Sequence, residues 1–414
     1  GFNADDIEKL ESWMQASLYR ILNNRDFSVK ALNFTTYGAS LIYLDGQGRR
    51  LTPVYNYLKP MPDGVMEDFY EAYGGIEEFS RKTASPALGM LNSGLQALWL
   101  KKKKPDIFSR ISVVLHLPQY FSYLFTHRLT SEFTSIGCHT AMWDFDNHRY
   151  HPWLKKEGIL VPQPVPNSEV ADVVIEDQLV KTGVGIHDSS ASLVPYFKGT
   201  QEEFILLSTG TWCIFMNPYN TEPLTAEQLR RDTLCYMSIQ QKQVKSSRLF
   251  LGHIHDVNVE RLNKHFGVVT GHYKTIETTG EKIDRLLKNS RERVFFRQGI
   301  PADYVDLSVN LSHFLTFADA YHQLMLDLVD LSMESLKLII PAEDHTKTVY
   351  ISGGFARNEL FVHLLASRIP DKAVFTSEIE NATAMGAAMV VWECAFGAPL
   401  PSIGLGLKYI QGVD

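Results

Sequence analysis

Residues 183–215 read GVGIHDSSASLVPYFKGTQEEFILLSTGTWCIF, and two features of that stretch decide the fold. A short apolar run over residues 184–186 leads to Asp188, which opens a helix-like segment. Its carboxylate is therefore expected at a strand-to-helix corner, where a fixed base is useful. Downstream, Ser208, Thr209, Gly210 and Thr211 lie between the apolar runs 204–207 and 212–216. That is the pattern of a hairpin whose turn shows backbone N–H groups and hydroxyls to an anion. A base followed by an anion cradle implies phosphoryl transfer. Taken singly, each part has an ordinary structural meaning, because aspartate is a preferred helix cap and a tight hairpin turn calls for glycine on steric grounds.

Working toward the C-terminus, residues 351–369 read ISGGFARNELFVHLLASRI. Gly353 and Gly354 leave no side chains between the end of a strand and the next helix, so a planar or phosphorylated ligand can lie against backbone, with Asn358 reaching the same crevice. The lysine of a P-loop and the full G-x-G-x-x-G pattern are both missing, so dinucleotide chemistry is not supported. Strand-like runs at 348–351 and 373–375 alternate with helical patterns at 357–367 and 382–396. This order implies right-handed crossovers, parallel pairing and a nucleotide-sized crevice at the strand ends. Between the two stretches we expect a helix at 225–231, strands around 234–239, a helix from 247 to 265 and a long one from 311 to 339.

Toward the N-terminus, Ile7, Leu10, Met14, Leu18 and Ile21 recur at helical spacing, which predicts an amphipathic helix over residues 3–23 packed on a sheet. Two strands are expected within 29–44 around Thr35, Thr36, Tyr37 and Gly38, the glycine marking a close backbone approach or a bend. Helical patterns follow at 66–73, 94–103 and 117–129. Lys101 to Lys104 end one of these helices just before Pro105, a placement that suits cations at the negative end of the helix dipole.

Composition bounds the rest. With 414 residues the chain is too long for one core and is expected to form two domains, 1–182 and 183–414. A net charge of −7 argues against nucleic acid as a partner, since a phosphate backbone calls for a basic surface. No apolar run is long enough to span a bilayer and the N-terminus does not look like a signal peptide. Four scattered cysteines form no C-x-x-C pair, which fits the reducing cytoplasm rather than a disulfide or zinc framework. His253 and His255, two apart on a helix, face different sides, and His148 with His151 lacks a third ligand, so a histidine metal site is not expected. Nor is a Ser-His-Asp triad: His187 adjoins Asp188, and neighbouring strand side chains point to opposite faces. Trp392 and Phe396 are read as core, while a homodimer stays open.

Taken together and in order, these parts resemble the FGGY family of carbohydrate kinases. GIHDSSAS is similar to the family's segment carrying the catalytic base, STGTW to its phosphate-binding hairpin, and SGGFARNELF with ATAMGAA to its adenosine site. LNSGLQALWLKKKKPDIFSRI and SEFTSIGCHTAMWDF are similar to first-domain segments, and TTYG with GTW looks most like the rhamnulokinase and fuculokinase branch. The resemblance implies a two-domain α/β fold of the actin/hexokinase, ribonuclease H-like type with a ligand cleft between domains. It also implies ATP and Mg²⁺ as cofactors and a small sugar, such as a 6-deoxy-ketohexose or pentulose, as substrate.

On that basis Asp188 would be the general base. Ser208, Thr209, Gly210, Thr211, Gly353, Gly354, Phe355 and Asn358 would hold the nucleotide. Thr36, Tyr37, Gly38, His139 and Trp143 would contact the sugar, and no metal ligand is assigned. The family's opening hairpin, with its D-x-G-T-type phosphate loop, has no counterpart, and the natural chain is expected to continue upstream of Gly1. Ser40 stands where the 6-deoxysugar branch usually carries an aspartate, and Tyr55, Asn56 and Tyr57 replace its more polar sugar-facing segment. The rival expectation is a catalytically inactive regulator of the same fold that binds sugar or nucleotide.

Overall fold

Apolar runs flanked by turn residues build a sheet around the predicted hairpin in the computed structural model, which describes residues 4–62, 64–278, 280–289 and 292–412. Asn3, the expected helix start, lies outside them. Two compact units make up the chain. The second consists of Gln201–Asn220, Lys245–Glu380 and Gly404–Asp414. Among its described residues the strand order is 245–249, Cys213–Asn217, Phe204–Thr209, Thr348–Gly353, Ala373–Ser377 and Leu407–Ile410. Phe204–Thr209 and Cys213–Asn217 form the expected antiparallel hairpin, closing at the pair Thr209 and Cys213. Phe204–Thr209 also runs parallel to Thr348–Gly353, in a register that sets Ser208 beside Ser352 and Thr209 beside Gly353. The hairpin tip and the Gly-Gly loop thus leave the sheet at the same edge. Strands covered on both faces are continuously apolar, and Phe204, Ile205, Leu206 and Leu207 are all fully buried.

Helices cover this sheet. Thr316 caps Phe317–Lys337 by accepting from the Asp319 N–H, and Asn358 caps Glu359–Arg368 from the Phe361 N–H. Leu324, Leu328 and Leu365 from these helices meet Ile205, Leu207 and Phe215 in one cluster, each such side chain contributing about 1.5–3 kcal/mol by leaving water. Two expectations change here. Residues 247–249 are not helical: Gln243–Leu249 is a strand paired with Cys213–Asn217 from Leu249 to Lys245, and the helix Leu251–Phe266 begins only after Phe250. Pairing with the hairpin outweighs the local helical pattern. The long helix is also shorter than expected, since Leu311–His313 is a separate 3₁₀ turn.

Unit 1 comprises Gly1–Thr200, Thr221–Val244 and Asn381–Ile403. The expected boundary at 182/183 falls within the first segment of this unit. Ile186–His187 pairs in parallel with Thr35–Thr36, and Asp188–Gly199 packs against Ala382–Phe396. A Cβ on Gly386 would lie 1.9 Å from the Ala191 carbonyl oxygen, so the close approach of those two helices requires glycine. Residues 35–36, expected in the turn between two strands, are themselves a short strand, and Leu41–Leu44 pairs antiparallel with Val113–His116.

The first helix spans Ile7–Leu22 with Asp6 as its cap. Ile7, Leu18 and Leu22 are buried, while Leu10 and Ile21, at the margin of that stripe, stay exposed. Phe396 is 49% exposed and stacked on Trp392, so it belongs to the surface and not to the core. No helix among the described residues is long and apolar enough to cross a membrane.

Candidate active site

In unit 1, the pairing of Ile186–His187 with Thr35–Thr36 brings residues 36–38 beside the base segment. Asp188 is the first residue of Asp188–Gly199, preceded by His187 in extended conformation, which is the expected strand-to-helix corner. Its Oδ1 accepts from the Ser189 N–H at 2.6 Å. The side chain keeps 36% of its surface open, yet crowding by protein on its other sides pushes its pKa from the ordinary 3.8 up to about 6. Contrary to the alternation argument, His187 Nε2 lies 3.1 Å from Asp188 Oδ1. The backbone turns from strand to helix between the two residues, so the opposite-face rule, which holds only inside a strand, does not apply. Burial holds the His187 imidazole neutral, with its pKa lowered to about 3.

Around this pair the sequence-predicted residues divide. Gly38 packs against the site so tightly that a Cβ would stand 2.7 Å from Cys138 Sγ and 3.4 Å from the His187 ring. The close approach expected at Gly38 is therefore to Cys138 and His187. His139 is nearly buried, its Nδ1 3.2 Å from the Leu91 carbonyl oxygen, and its ring lies near Tyr236, which also tilts against His187. Thr36 and Tyr37 are half-buried, the Thr36 hydroxyl donating to the Tyr37 carbonyl. Trp143 departs from the group: it is 4% exposed, set edge-on to Phe133 and Tyr150 in the unit 1 core. Sequence reasoning missed Cys138 and Tyr236, which reach the pair from separate segments.

In unit 2, a cavity of about 670 Å³ opens where the hairpin tip and the Gly-Gly loop leave the sheet. Gly210, Thr211, Gly354, Phe355 and Asn358 line it, five of the eight residues expected to hold a nucleotide. The two loop glycines do different things. Gly353 has φ +86°, and a Cβ there would fall 1.8 Å from the Thr209 carbonyl oxygen, whereas a Cβ on Gly354 would meet nothing within 4 Å. Gly353 is required by backbone packing, and Gly354 leaves the cavity wall bare. Thr209 is buried, its hydroxyl donating to the Ser352 carbonyl and accepting from the Phe355 N–H at 3.0 Å. It ties hairpin to loop and is not among the lining residues.

The cavity also holds residues that local patterns did not single out. Gly252 is needed because a Cβ would strike the Gly210 carbonyl oxygen at 2.3 Å. Buried His255 lies 3.4 Å from the Tyr321 hydroxyl through Nε2, and Tyr321 in turn accepts from Asn358 Nδ2 at 3.0 Å. Lys274 and Arg357 are cations in the lining, and Tyr273 and Phe355 give it aromatic walls. Beside the hairpin tip, Trp212 stacks on Phe250 with ring centroids 4.4 Å apart, Phe250 stacks on His253, and the Arg248 guanidinium lies over the indole. Among the described residues, no group of three or more His, Cys, Asp or Glu side chains could hold a metal ion.

Known proteins share both sequence and fold with this chain. Residues 1–178 match the N-terminal domain of the FGGY family of carbohydrate kinases. A rhamnulokinase from Halalkalibacterium halodurans is 24% identical over 389 residues, covering 87% of this chain and 78% of the relative. A carbohydrate kinase from Novosphingobium aromaticivorans superposes with a TM-score of 0.76 at 24% identity, over 100% of this chain and 89% of its own. A xylulose kinase from Rhodospirillum rubrum follows with a TM-score of 0.75 at 15% identity, covering 100% and 86%. The shared architecture is the two-domain actin-like, ribonuclease H-like fold. Residues 1–178 thus match the N-terminal domain of the FGGY carbohydrate kinases, and the chain as a whole is similar to sugar kinases in sequence and fold.

Proposed function

We propose that this sugar kinase transfers the γ-phosphoryl group of ATP to a hydroxyl of a ketose, such as a 6-deoxy-ketohexose or a pentulose, with Asp188 as the general base. The observation that carries the reading is the glycine-walled cavity of unit 2, where five expected nucleotide residues converge with Lys274 and Arg357. Its volume suits a small ligand. Tyr273, Ile276 and Phe355 offer flat apolar walls for a base, the two cations suit phosphates, and Gly210, Thr211 and Gly354 let phosphate oxygens approach backbone. A glycerol kinase from Plasmodium falciparum with this fold was solved with ADP, which supports a nucleotide here.

In the proposed step the sugar hydroxyl oxygen forms its bond to the γ-phosphorus while the bond from that phosphorus to the β,γ-bridging oxygen breaks. The hydroxyl proton passes to Asp188, and ADP leaves. A placed base contributes about 10²–10⁴-fold, and the remainder must come from positioning and electrostatics because the transition state is loose. A base with a pKa near 6 is ionised at neutral pH and still strong enough to take a proton. Thr36, Tyr37, Gly38 and His139 are assigned to the sugar, and buried Trp143 is left out. Mg²⁺ is taken to enter with the substrate as Mg–ATP, and no side chain is assigned to it. In this reading residues of unit 1 bind the sugar and residues of unit 2 the nucleotide. The four cysteines, none in a disulfide, suit the cytoplasm.

A coupled ATP assay across ketoses, polyols and aldonates, run on wild type beside Asp188→Asn, tests the reading. We expect turnover of a ketose by wild type and its loss in the variant. Sugar binding without turnover by either protein would replace the proposal with that of a binding regulator. Equal turnover by both would remove Asp188 from the chemistry.

A further inference from the structure

We propose that His187, as a neutral imidazole carrying its proton on Nδ1, is the positioning residue that sets the basicity of Asp188, and that Cys138 competes for the same Nε2 lone pair. The inference rests on the assignment of Asp188 as general base and deepens it. His187 Nδ1 lies 3.3 Å from Ser190 Oγ. The Ser190 hydroxyl already donates to the Met237 carbonyl at 2.8 Å, so its oxygen can only accept from the ring, and the imidazole hydrogen sits on Nδ1. Nε2 is then a lone pair with two neighbours, Cys138 Sγ at 2.9 Å and Asp188 Oδ1 at 3.1 Å. The thiol donates to it. Toward Asp188 the same lone pair repels a carboxylate and accepts from a carboxylic acid.

The consequence is a seat for the transferred proton. When Asp188 takes the proton of the sugar hydroxyl, its new O–H donates to His187 Nε2 and stays there until it is released to water. His187 itself gains and loses nothing. The surroundings hold this arrangement in place. Gly38 backs both groups closely, since a Cβ there would stand 2.7 Å from the thiol sulfur and 3.4 Å from the ring, and the Tyr236 ring centroid lies 5.2 Å from that of the imidazole.

The other ionisable groups around His187 are few. Its backbone N–H donates to Thr134 Oγ1 at 3.0 Å, whose hydroxyl donates to the buried Glu132 carboxylate. His116, close enough for its charge to interact with His187 and His139, is held neutral by burial at about 3. No cation among these groups opposes the effect of the lone pair at neutral pH.

The test is the pH dependence of kcat/KM for wild type, Cys138→Ala and His187→Asn, with the sugar identified by the coupled assay. A ¹³C NMR titration of aspartate-labelled protein accompanies it, with Asp188→Asn identifying the Asp188 signal. That titration needs no substrate and so survives a failed sugar screen. Removing the thiol leaves the lone pair to Asp188 alone, and its midpoint should rise. Asparagine places an N–H donor against the carboxylate, and the midpoint should fall, each shift being about half to one pH unit. A packing role would lower stability or the plateau rate without moving the midpoint. Coincident midpoints, or shifts of the same sign, overturn the inference, and if His187→Asn does not fold, Cys138→Ala decides by itself. Wild-type turnover by Asp188→Asn would instead bring down the general-base reading, so the two failures are told apart.

Discussion

The base pair of unit 1 and the cavity of unit 2 are built on opposite plans. Around Asp188 the site is crowded: its carboxylate and the Cys138 thiol both lie against the His187 imidazole, and burial raises the pKa of Asp188 and lowers that of His187. The unit 2 cavity is defined by what is left out, with Gly210, Gly252 and Gly354 in its wall and backbone where side chains would otherwise stand. The difference teaches that the first region is sensitive to the chemical identity of side chains, and the second to their volume. Isosteric changes should therefore damage the first, and added atoms the second.

The largest effect is expected at Asp188. Replacing it by asparagine, which keeps the shape, should lower kcat by about 10²–10⁴, while the nucleotide Kd measured by calorimetry stays at the wild-type value. A weakened nucleotide Kd would blur the contrast between the two regions. Next comes volume. Gly353→Ala forces a Cβ onto the Thr209 carbonyl at a positive φ, and should cost about 2–4 kcal/mol in denaturant unfolding. Gly354→Val, one residue on, should fold normally and raise the KM for ATP about tenfold, equivalent to about 1.4 kcal/mol. Equal stability losses in the two variants would break the distinction drawn between them.

Acid provides a milder probe of the crowded region. Because Asp188 must be ionised to accept a proton, kcat/KM should fall as pH drops through about 6, roughly tenfold per unit below it. The stability term from this group has the opposite sign to the usual carboxylate. Its folded pKa lies above the ordinary 3.8, so protonation favours the folded state and this contribution diminishes as pH rises from about 4 to 6. An acid limb unmoved in Asp188→Asn would assign the titration to another group. Smallest is Thr209→Val, which removes the hydroxyl linking hairpin to loop. A loss of about 1–3 kcal/mol in stability is expected, with no change in the pH profile.

The same contrast governs how much is legible in the sequence. The hairpin at Ser208 to Thr211 and the corner at Asp188 are local, written in turn residues and apolar runs, and both stand where expected. The Gly-Gly loop was legible as a bare surface. What was not legible is that Gly353 and Gly354 divide the work, since that depends on Thr209 from a parallel strand far away in sequence. Nor could a local pattern gather His255, Tyr273, Lys274 and Tyr321 into one cavity, because no period relates them. The His187 contact was missed for a different reason: alternation was applied across a point where the strand ends. Trp143, expected beside the sugar, has its ring edge-on to Phe133 and Tyr150 in the core, a placement set by contacts that no local pattern shows.

Trp212 has a further use. It is the single tryptophan in the sequence of unit 2, since Trp13, Trp99, Trp143, Trp153 and Trp392 all belong to unit 1. Its indole is 42% exposed, stacked on Phe250 beneath Arg248, next to the hairpin tip. Selective excitation of indole in a protein whose other tryptophans are replaced by phenylalanine would thus report from the hairpin tip alone. Occupancy of the neighbouring cavity could be read as a change in emission or in iodide quenching, without any added dye.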